Sequence, residues 1–236
     1  MTGLRLRDRV AVITGGTRGL GRRIAEAYEA EGATVVVAAR GAGDGDEQVD
    51  VTDAESVREL FDRIERRYGR VDVAVANAGA SRPGPVATLA PEAFAEVLAT
   101  NLAGTFHTVQ AAVPALERAG GGRILTVSSA LATRVTPGAA AYSASKAAIE
   151  AFTRTAAVEL APRGIAVNCL APGIIAEGMG EQLIGNAAVW ARYGPRLASG
   201  RPGTGAEVAA VAVFLAGPDA GYVNGAVVEV HGGLDW

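Results

Sequence analysis

The chain has 236 residues, 49% of them hydrophobic, and a formal net charge of −3. That length and apolar content suffice for the core of one large α/β domain spanning residues 1–236. A slightly acidic chain carries no electrostatic footprint for nucleic acid, and two histidines, His107 and His231, with one cysteine do not make a zinc cluster.

Charged residues Arg5, Arg7, Asp8 and Arg9 open the chain, and only a short apolar run follows. That is neither a signal peptide nor a membrane span, so a soluble cytoplasmic protein is expected. Residues 10–13 read as a buried parallel strand, which passes into Thr14-Gly15-Gly16-Thr17-Arg18-Gly19-Leu20-Gly21. A helical pattern follows, with Leu20, Ile24, Ala27 and Tyr28 on one face. Strand, glycine turn and helix N-terminus together make an anion site, because backbone N–H groups and the helix dipole point at one place. Glycine is needed there, since a Cβ would keep a pyrophosphate from the backbone.

Residues 34–38 form a second predicted strand, ending in Ala38-Ala39-Arg40. A carboxylate about 20 residues past the glycines would bind the 2′-hydroxyl of NAD and repel the phosphate of NADP. None stands at the strand's end, and Arg18 and Arg40 supply two guanidiniums suited to a phosphate dianion. The reading therefore favours NADP(H) over NAD(H), although Asp44, Asp46 and Glu47 follow in the loop. Residues 41–46 look like a flexible loop, and 48–51 a short extra strand that would complete seven. Thr52-x-x-Glu55 predicts a capping box, opening a helix with Val57, Leu60, Phe61, Ile64 and Tyr68 inward.

Further strands are predicted at 71–76, 123–128, 165–170 and 226–230, and long helices at 91–119 and 139–161. Pro162 and Gly164 end the second of these helices. Cys169, in an apolar run, reads as a small core residue, and a lone thiol fits a reducing compartment. Alternating strands and helices predict an α/β fold, a Rossmann-type doubly wound parallel sheet with helices on both faces. On the helix at 139–161, Tyr142 and Lys146 lie four residues apart, on one face. A nearby ammonium favours the phenolate, lowering a pKa otherwise near 10 and suiting the phenol to trade protons with an oxygen.

These motifs resemble the short-chain dehydrogenase/reductase family over nearly the whole chain. Thr14-Gly15-x-x-x-Gly19-x-Gly21 is similar to its cofactor motif and Asn77-Ala78-Gly79 to its N-A-G motif. Tyr142-x-x-x-Lys146 resembles its catalytic pair, with Ser129, thirteen residues earlier, as its catalytic serine. Asn101 matches its helix asparagine and Pro172-Gly173 its P-G motif. The resemblance implies hydride transfer between a nicotinamide and a ketone or secondary alcohol. Tyr142 would move the proton, Ser129 hold the substrate oxygen, and Lys146 also bind the nicotinamide ribose. Asn101 would hold a backbone kink and a water. The implied cofactor set is Gly15, Thr17, Arg18, Gly19, Leu20, Gly21, Arg40, Asp50, Val51, Asn77, Ala78, Gly79, Tyr142, Lys146, Pro172, Gly173 and Ile175, with Asp50 as the adenine-binding aspartate. A strand-end hydroxyl capping the next turn is the other reading of Ser129, though Ser128 suits that role better. Asn168 reads as a backbone anchor near the active site.

Three features depart from the family pattern. The loop after Arg40 is short, Glu177 stands where a Thr commonly binds the nicotinamide amide, and His231 replaces an Asp before Gly-Gly. A carboxylate can accept from that amide but cannot donate to it. The layout is nearest to the 3-oxoacyl-acyl-carrier-protein reductase branch. In the lid, residues 174–203, Met179, Leu183, Ile184, Trp190, Tyr193 and Leu197 fit either a wall for a hydrophobic ketone or ordinary helix packing. Arg82 and Arg134 are available to an acidic carrier or are simply solvated. A homotetramer is expected, with small residues on the helices at 91–119 and 139–161. Two other classes remain open: a nucleotide-binding regulator, which would lack Tyr142, Lys146 or Ser129, and a lyase on the same fold, which would lack the glycines.

Overall fold

A computed structural model describes residues 4–43 and 45–235, so Asp44 of the acidic loop lies outside the described residues. Among them, seven parallel strands form one sheet: β1 (Val10–Thr14), β2 (Thr34–Ala39), β3 (Glu47–Gln48), β4 (Val73–Ala76), β5 (Gly122–Val127), β6 (Ile165–Pro172) and β7 (Val227–Val230). Their order is β3-β2-β1-β4-β5-β6-β7, the doubly wound sheet expected from the alternating pattern. The principal helices are α1 (Gly19–Ala30), α2 (Ala54–Tyr68), α3 (Pro91–Leu98), α4 (Gly104–Arg118), α5 (Ala140–Leu160), α6 (Met179–Gly185), α7 (Ala187–Tyr193) and α8 (Gly205–Ala216).

Every residue of β1 is buried, because helices cover both faces of the sheet. Side chains alternate across a strand, so Val10 and Val12 join the layer with α2, α4 and α5. Ala11 and Ile13 join the opposite layer, with α1 and α8. The inward face of α2 buries Val57, Leu60, Phe61 and Ile64, as its period predicted. Each such side chain contributes about 1.5–3 kcal/mol by leaving water. Cys169 is fully buried beneath the sheet's surface, as read.

Local details differ from expectation for identifiable reasons. The third strand lies at Glu47–Gln48, pairing with Ala38 and Ala39, rather than at 48–51. Beyond it Asp50 turns the chain: its Oδ1 accepts from Thr52 N at 2.9 Å and from Thr52 Oγ1 at 2.8 Å. With Thr52 so engaged, the expected capping box does not form, and Asp53 caps α2 by accepting from Glu55 N at 3.0 Å. A capping box forms instead at Thr204 and Glu207, before α8. The helix expected over 91–119 is interrupted by a π-helical turn at Ala99–Ala103. None of the described helices is long and apolar enough to cross a membrane.

Candidate active site

Strand order reverses between β1 and β4, and in such sheets the crevice beyond the strands' carboxyl ends is where ligands bind. The two loops leaving this point are tied together. Asn77 Nδ2 donates to Thr14 O at 3.1 Å and to Gly15 O at 2.9 Å, while Thr14 Oγ1 accepts from Asn77 N at 3.3 Å. Gly15 has φ +67°, and a Cβ on it would lie 2.7 Å from Ala78 Cα. A Cβ on Gly21 would lie 2.4 Å from Asn77 Nδ2. Both glycines are thus required by close packing of turn on loop, besides any need of a ligand.

The chemistry of this cradle fits a dinucleotide. No side chain caps the N-terminus of α1 at Arg18, and its first turn carries no acidic residue, so the N–H groups and dipole there remain available to an anion. Arg18 and Arg40 are exposed and form no ion pair among the described residues. Asp50 lies near enough to Arg40 for that guanidinium to help lower its pKa, the larger causes being its hydrogen bonds from Thr52. Val51 is buried, and its carbonyl accepts from His107 Nδ1 at 2.9 Å. Thr17 and Leu20 are partly exposed on the turn. Gly79 is closely neighboured by the polar groups below it: a Cβ there would be 3.5 Å from Asn101 Oδ1 and 3.8 Å from Lys146 Nζ.

Lys146 and Tyr142 do share a face of α5, with Nζ 5.5 Å from the phenol ring centroid. Lys146 is 3% exposed, and its Nζ donates to Val127 O, the last carbonyl of β5, at 2.7 Å. Burial pulls its pKa down to about 8. The expected depression of the Tyr142 pKa is absent here: burial pushes the phenol up, and a hydrogen bond from Ser129 opposes that shift. Desolvation outweighs the Ser129 hydrogen bond. Ser129 does two jobs, since its Oγ also accepts from Leu131 N at 3.2 Å and caps the following turn. The capping role suggested for Ser128 therefore belongs to Ser129. Ser128 Oγ instead lies 3.0 Å from both Lys146 O and Glu150 Oε1.

Asn101 sits fully buried in the π-helical turn. Its Oδ1 accepts from Ala80 N at 2.7 Å, and its Nδ2 donates to Ala80 O and to Ser145 Oγ, each at 3.0 Å. Ser145 Oγ donates in turn to Tyr142 O at 2.7 Å. One asparagine thus pins the loop after β4 to the helix carrying Tyr142. A π turn inserts an extra residue and often marks a functional site.

Gly173 is held by a hydrogen bond from its N to Val230 O at 3.0 Å, and a Cβ on it would meet His231 Cβ at 2.6 Å. Pro172 and the side chain of Ile175 are buried, Ile175 in the layer with α1 and α8. Glu177 accepts from Arg23 Nε at 2.8 Å. Asn168 anchors backbone at the start of β7, donating to Val223 O at 2.9 Å and accepting from Ala226 N at 3.0 Å. Both arginines considered for a carrier are paired, Arg82 with Glu96 and Arg134 with Glu229. His231 Nε2 lies 2.8 Å from Glu229 Oε2 and belongs to this second cluster. Within the lid, Ile174, Tyr193 and Leu197 are buried together, with Leu183, Ile184 and Trp190 against them, whereas Met179 is 53% exposed. Most of the lid's apolar residues therefore serve its own packing.

Ser145, Glu150, Arg23 and the Val127 carbonyl escaped sequence reasoning. Only Ser145 carried a local signal, its place inside the Tyr-to-Lys stretch; the others act through partners distant in sequence.

A family model described as enoyl-(acyl carrier protein) reductase matches residues 15–235. The chain is 37% identical to a 3-oxoacyl-(acyl-carrier-protein) reductase of Thermotoga maritima, over 98% of this chain and 99% of the relative. It is 34% identical to the reductase of that description from Haemophilus influenzae, over 97% and 99%. A short-chain type dehydrogenase/reductase from Mycobacterium marinum superposes with a TM-score of 0.90 at 33% identity, covering 98% of this chain and 97% of that one. A candidate NAD(P)-dependent gluconate 5-dehydrogenase from Beutenbergia cavernae, with NADP bound at low occupancy, gives 0.91 at 33%, covering 98% of each.

Proposed function

Since the chain belongs to the short-chain dehydrogenase/reductase family and is an NAD(P)-dependent oxidoreductase, we propose that it reduces a ketone to a secondary alcohol with NADP(H), or runs the reverse oxidation. The observation that carries this reading is the convergence of Tyr142, Ser129, Lys146 and Asn101 beside the loop after β4, which Asn77 ties to the glycine turn. A 3-oxoacyl thioester is the substrate class to test first, because two reductases of that description are similar over nearly their whole length.

When bound, the nicotinamide supplies or receives the hydride. The chain's own residues do the rest. Gly15, Thr17, Gly19, Leu20 and Gly21 with the N-terminus of α1 hold the pyrophosphate. Arg18 and Arg40 take the 2′-phosphate, and Asp50 and Val51 the adenine. Asn77, Ala78 and Gly79, Pro172, Gly173 and the Ile175 backbone border the nicotinamide half. Tyr142, a phenol protonated at neutral pH, is the general acid in reduction. Ser129 donates to the substrate oxygen where charge develops. Lys146 stabilises the phenolate left on Tyr142, and Asn101 keeps the intervening loop in place.

Retention of Tyr142, Ser129 and Lys146 speaks against a regulatory member, and Gly15, Gly19 and Gly21 against a lyase lacking the cofactor. A panel of ketones, β-keto esters and 3-oxoacyl thioesters, followed at the nicotinamide absorbance with NADPH and NADH, tests the proposal. Turnover with NADPH is expected. Tyr142→Phe should lower kcat at least about 100-fold, the scale of general acid catalysis, while leaving the NADPH Kd nearly unchanged. A loss of less than about tenfold would make Tyr142 structural and overturn the mechanism.

A further inference from the structure

Glu177 lies where the lid meets two helices. Its Oε1 accepts from Arg23 Nε on α1 at 2.8 Å, and Arg23 Nη1 is also bonded to Glu26 Oε2 at 3.0 Å. The Glu177 side chain is 16% exposed. From behind, α8 closes on it, since a Cβ on Gly205 would lie 2.6 Å from Glu177 Oε2. One residue on, Gly178 (φ +58°) rests against Gly19 (φ +55°) of the glycine turn: a Cβ on Gly19 would be 3.4 Å from Gly178 Cα. Arg23 is four residues past Gly19, about one helical turn along α1. The ion pair thus fastens the lid one turn behind the anion-binding end of α1, and the lid's backbone lies over the turn itself. Two further bonds join the lid's own two ends, Ala176 N to Gly203 O at 2.8 Å and Gly203 N to Ile174 O at 2.9 Å.

We infer that Glu177 and Arg23 are positioning residues: together they latch the lid onto α1 above the glycine turn, and so set how readily NADP(H) enters and leaves. The inference rests on the reading of the crevice as an NADP(H) site. It assigns Glu177 a task other than meeting the nicotinamide amide, because its carboxylate is already engaged by Arg23. A dinucleotide passes Gly178 only when the lid lifts, and lifting separates the two charges. Loss of the pair should therefore speed exchange of the cofactor and raise its KM. Tyr142 and Ser129 are untouched, so kcat should hold, or rise if cofactor release limits turnover.

Hydrogen exchange of the cofactor-free protein reads the latch directly. In Glu177→Gln and in Arg23→Met, exchange across residues 174–186 should quicken roughly 1.5- to fivefold, the range for one partly exposed ion pair. Stopped-flow displacement should show NADPH leaving faster by a similar factor, and the charge-exchanged double variant Arg23→Glu/Glu177→Arg should recover much of both. Unchanged lid exchange in Glu177→Gln, or no recovery in the double variant, overturns the latch. Faster exchange spread through β1 and β4 overturns it too, since the pair would then support the whole fold. If the wild-type protein fails to bind NADPH, the cofactor reading falls, while lid exchange still decides the latch.

Discussion

Lys146 joins stability to the proposed chemistry in one side chain. The residue is 3% exposed, and burial lowers its pKa from 10.5 to about 8. A lysine whose folded pKa is depressed binds its proton less tightly than the unfolded chain does. Between about pH 8 and 10.5 the unfolded chain holds more protons, so this group makes stability rise with pH across that window. Below about 8 its desolvation cost is fully present. In the proposed mechanism catalysis runs the other way, because the charged form is the one that would stabilise a phenolate on Tyr142. We predict that kcat/KM for ketone reduction falls as pH rises through about 8, the pKa of the free protein's Lys146. A pH–rate profile flat from about 7 to 9 would separate Lys146 from the proton transfer. The pairing of Tyr142 with Lys146 was legible in the sequence because a spacing of four is set by the helix itself. The direction of the phenol's shift was not, because it depends on how deeply the assembled layers bury it.

The turn from β1 into α1 and the end of β2 carry the second prediction. Arg18 precedes an uncapped helix N-terminus, and Arg40 follows the neighbouring strand, so parallel pairing of β1 with β2 brings both to one edge. Replacing both by Ala should weaken NADPH roughly tenfold or more, as expected for charge-assisted bonds to a phosphate, and NADH by at most about twofold. Dissociation constants for both cofactors check this; equal weakening would place the arginines on groups the two share. Local pattern located these elements well, yet it read one unbroken helix across the π turn at Ala99–Ala103. Apolar period continues through such a turn, and the force that holds it comes from Ala80, 21 residues away, bonded to Asn101.

Assembly belongs to the whole molecule. Among the small residues on the two long helices, Ala112, Ala156 and Ala157 are buried against the protein's own sheet. Ala147, Ala151 and Val158 on α5, with Phe106 and Pro114 on α4, remain exposed. Phe106 is 42% exposed and packs edge-on against Phe152 across the two helices. At the sheet's edge, β7 offers a strand side unpaired among the described residues, with Phe214 of α8 and Tyr222 exposed nearby in sequence. Two such surfaces suit a closed homotetramer built through two kinds of interface. Light scattering at micromolar concentration should give a mass near four times the 23.9 kDa of one chain, or at least twice it. A value near 23.9 kDa would assign these surfaces to the monomer alone.

The sequence by itself determined whatever rests on local period and on backbone needs. Alternating apolar runs specified a parallel sheet, as observed, and the glycines after β1 marked the turn proposed to bind the pyrophosphate. The spacing of Tyr142 and Lys146 pointed to a proton-transfer pair. Tertiary structure decided what rests on partners far along the chain. It alone set Asn101 on Ala80, Ser129 against both Leu131 and Tyr142, and Asp53 rather than Thr52 as the cap of α2. It also turned Glu177 toward Arg23, 154 residues away. Local signals are repeated every two or four residues and reinforce one another, whereas a side chain's partner is chosen once, by the burial and charge that the folded layers bring together.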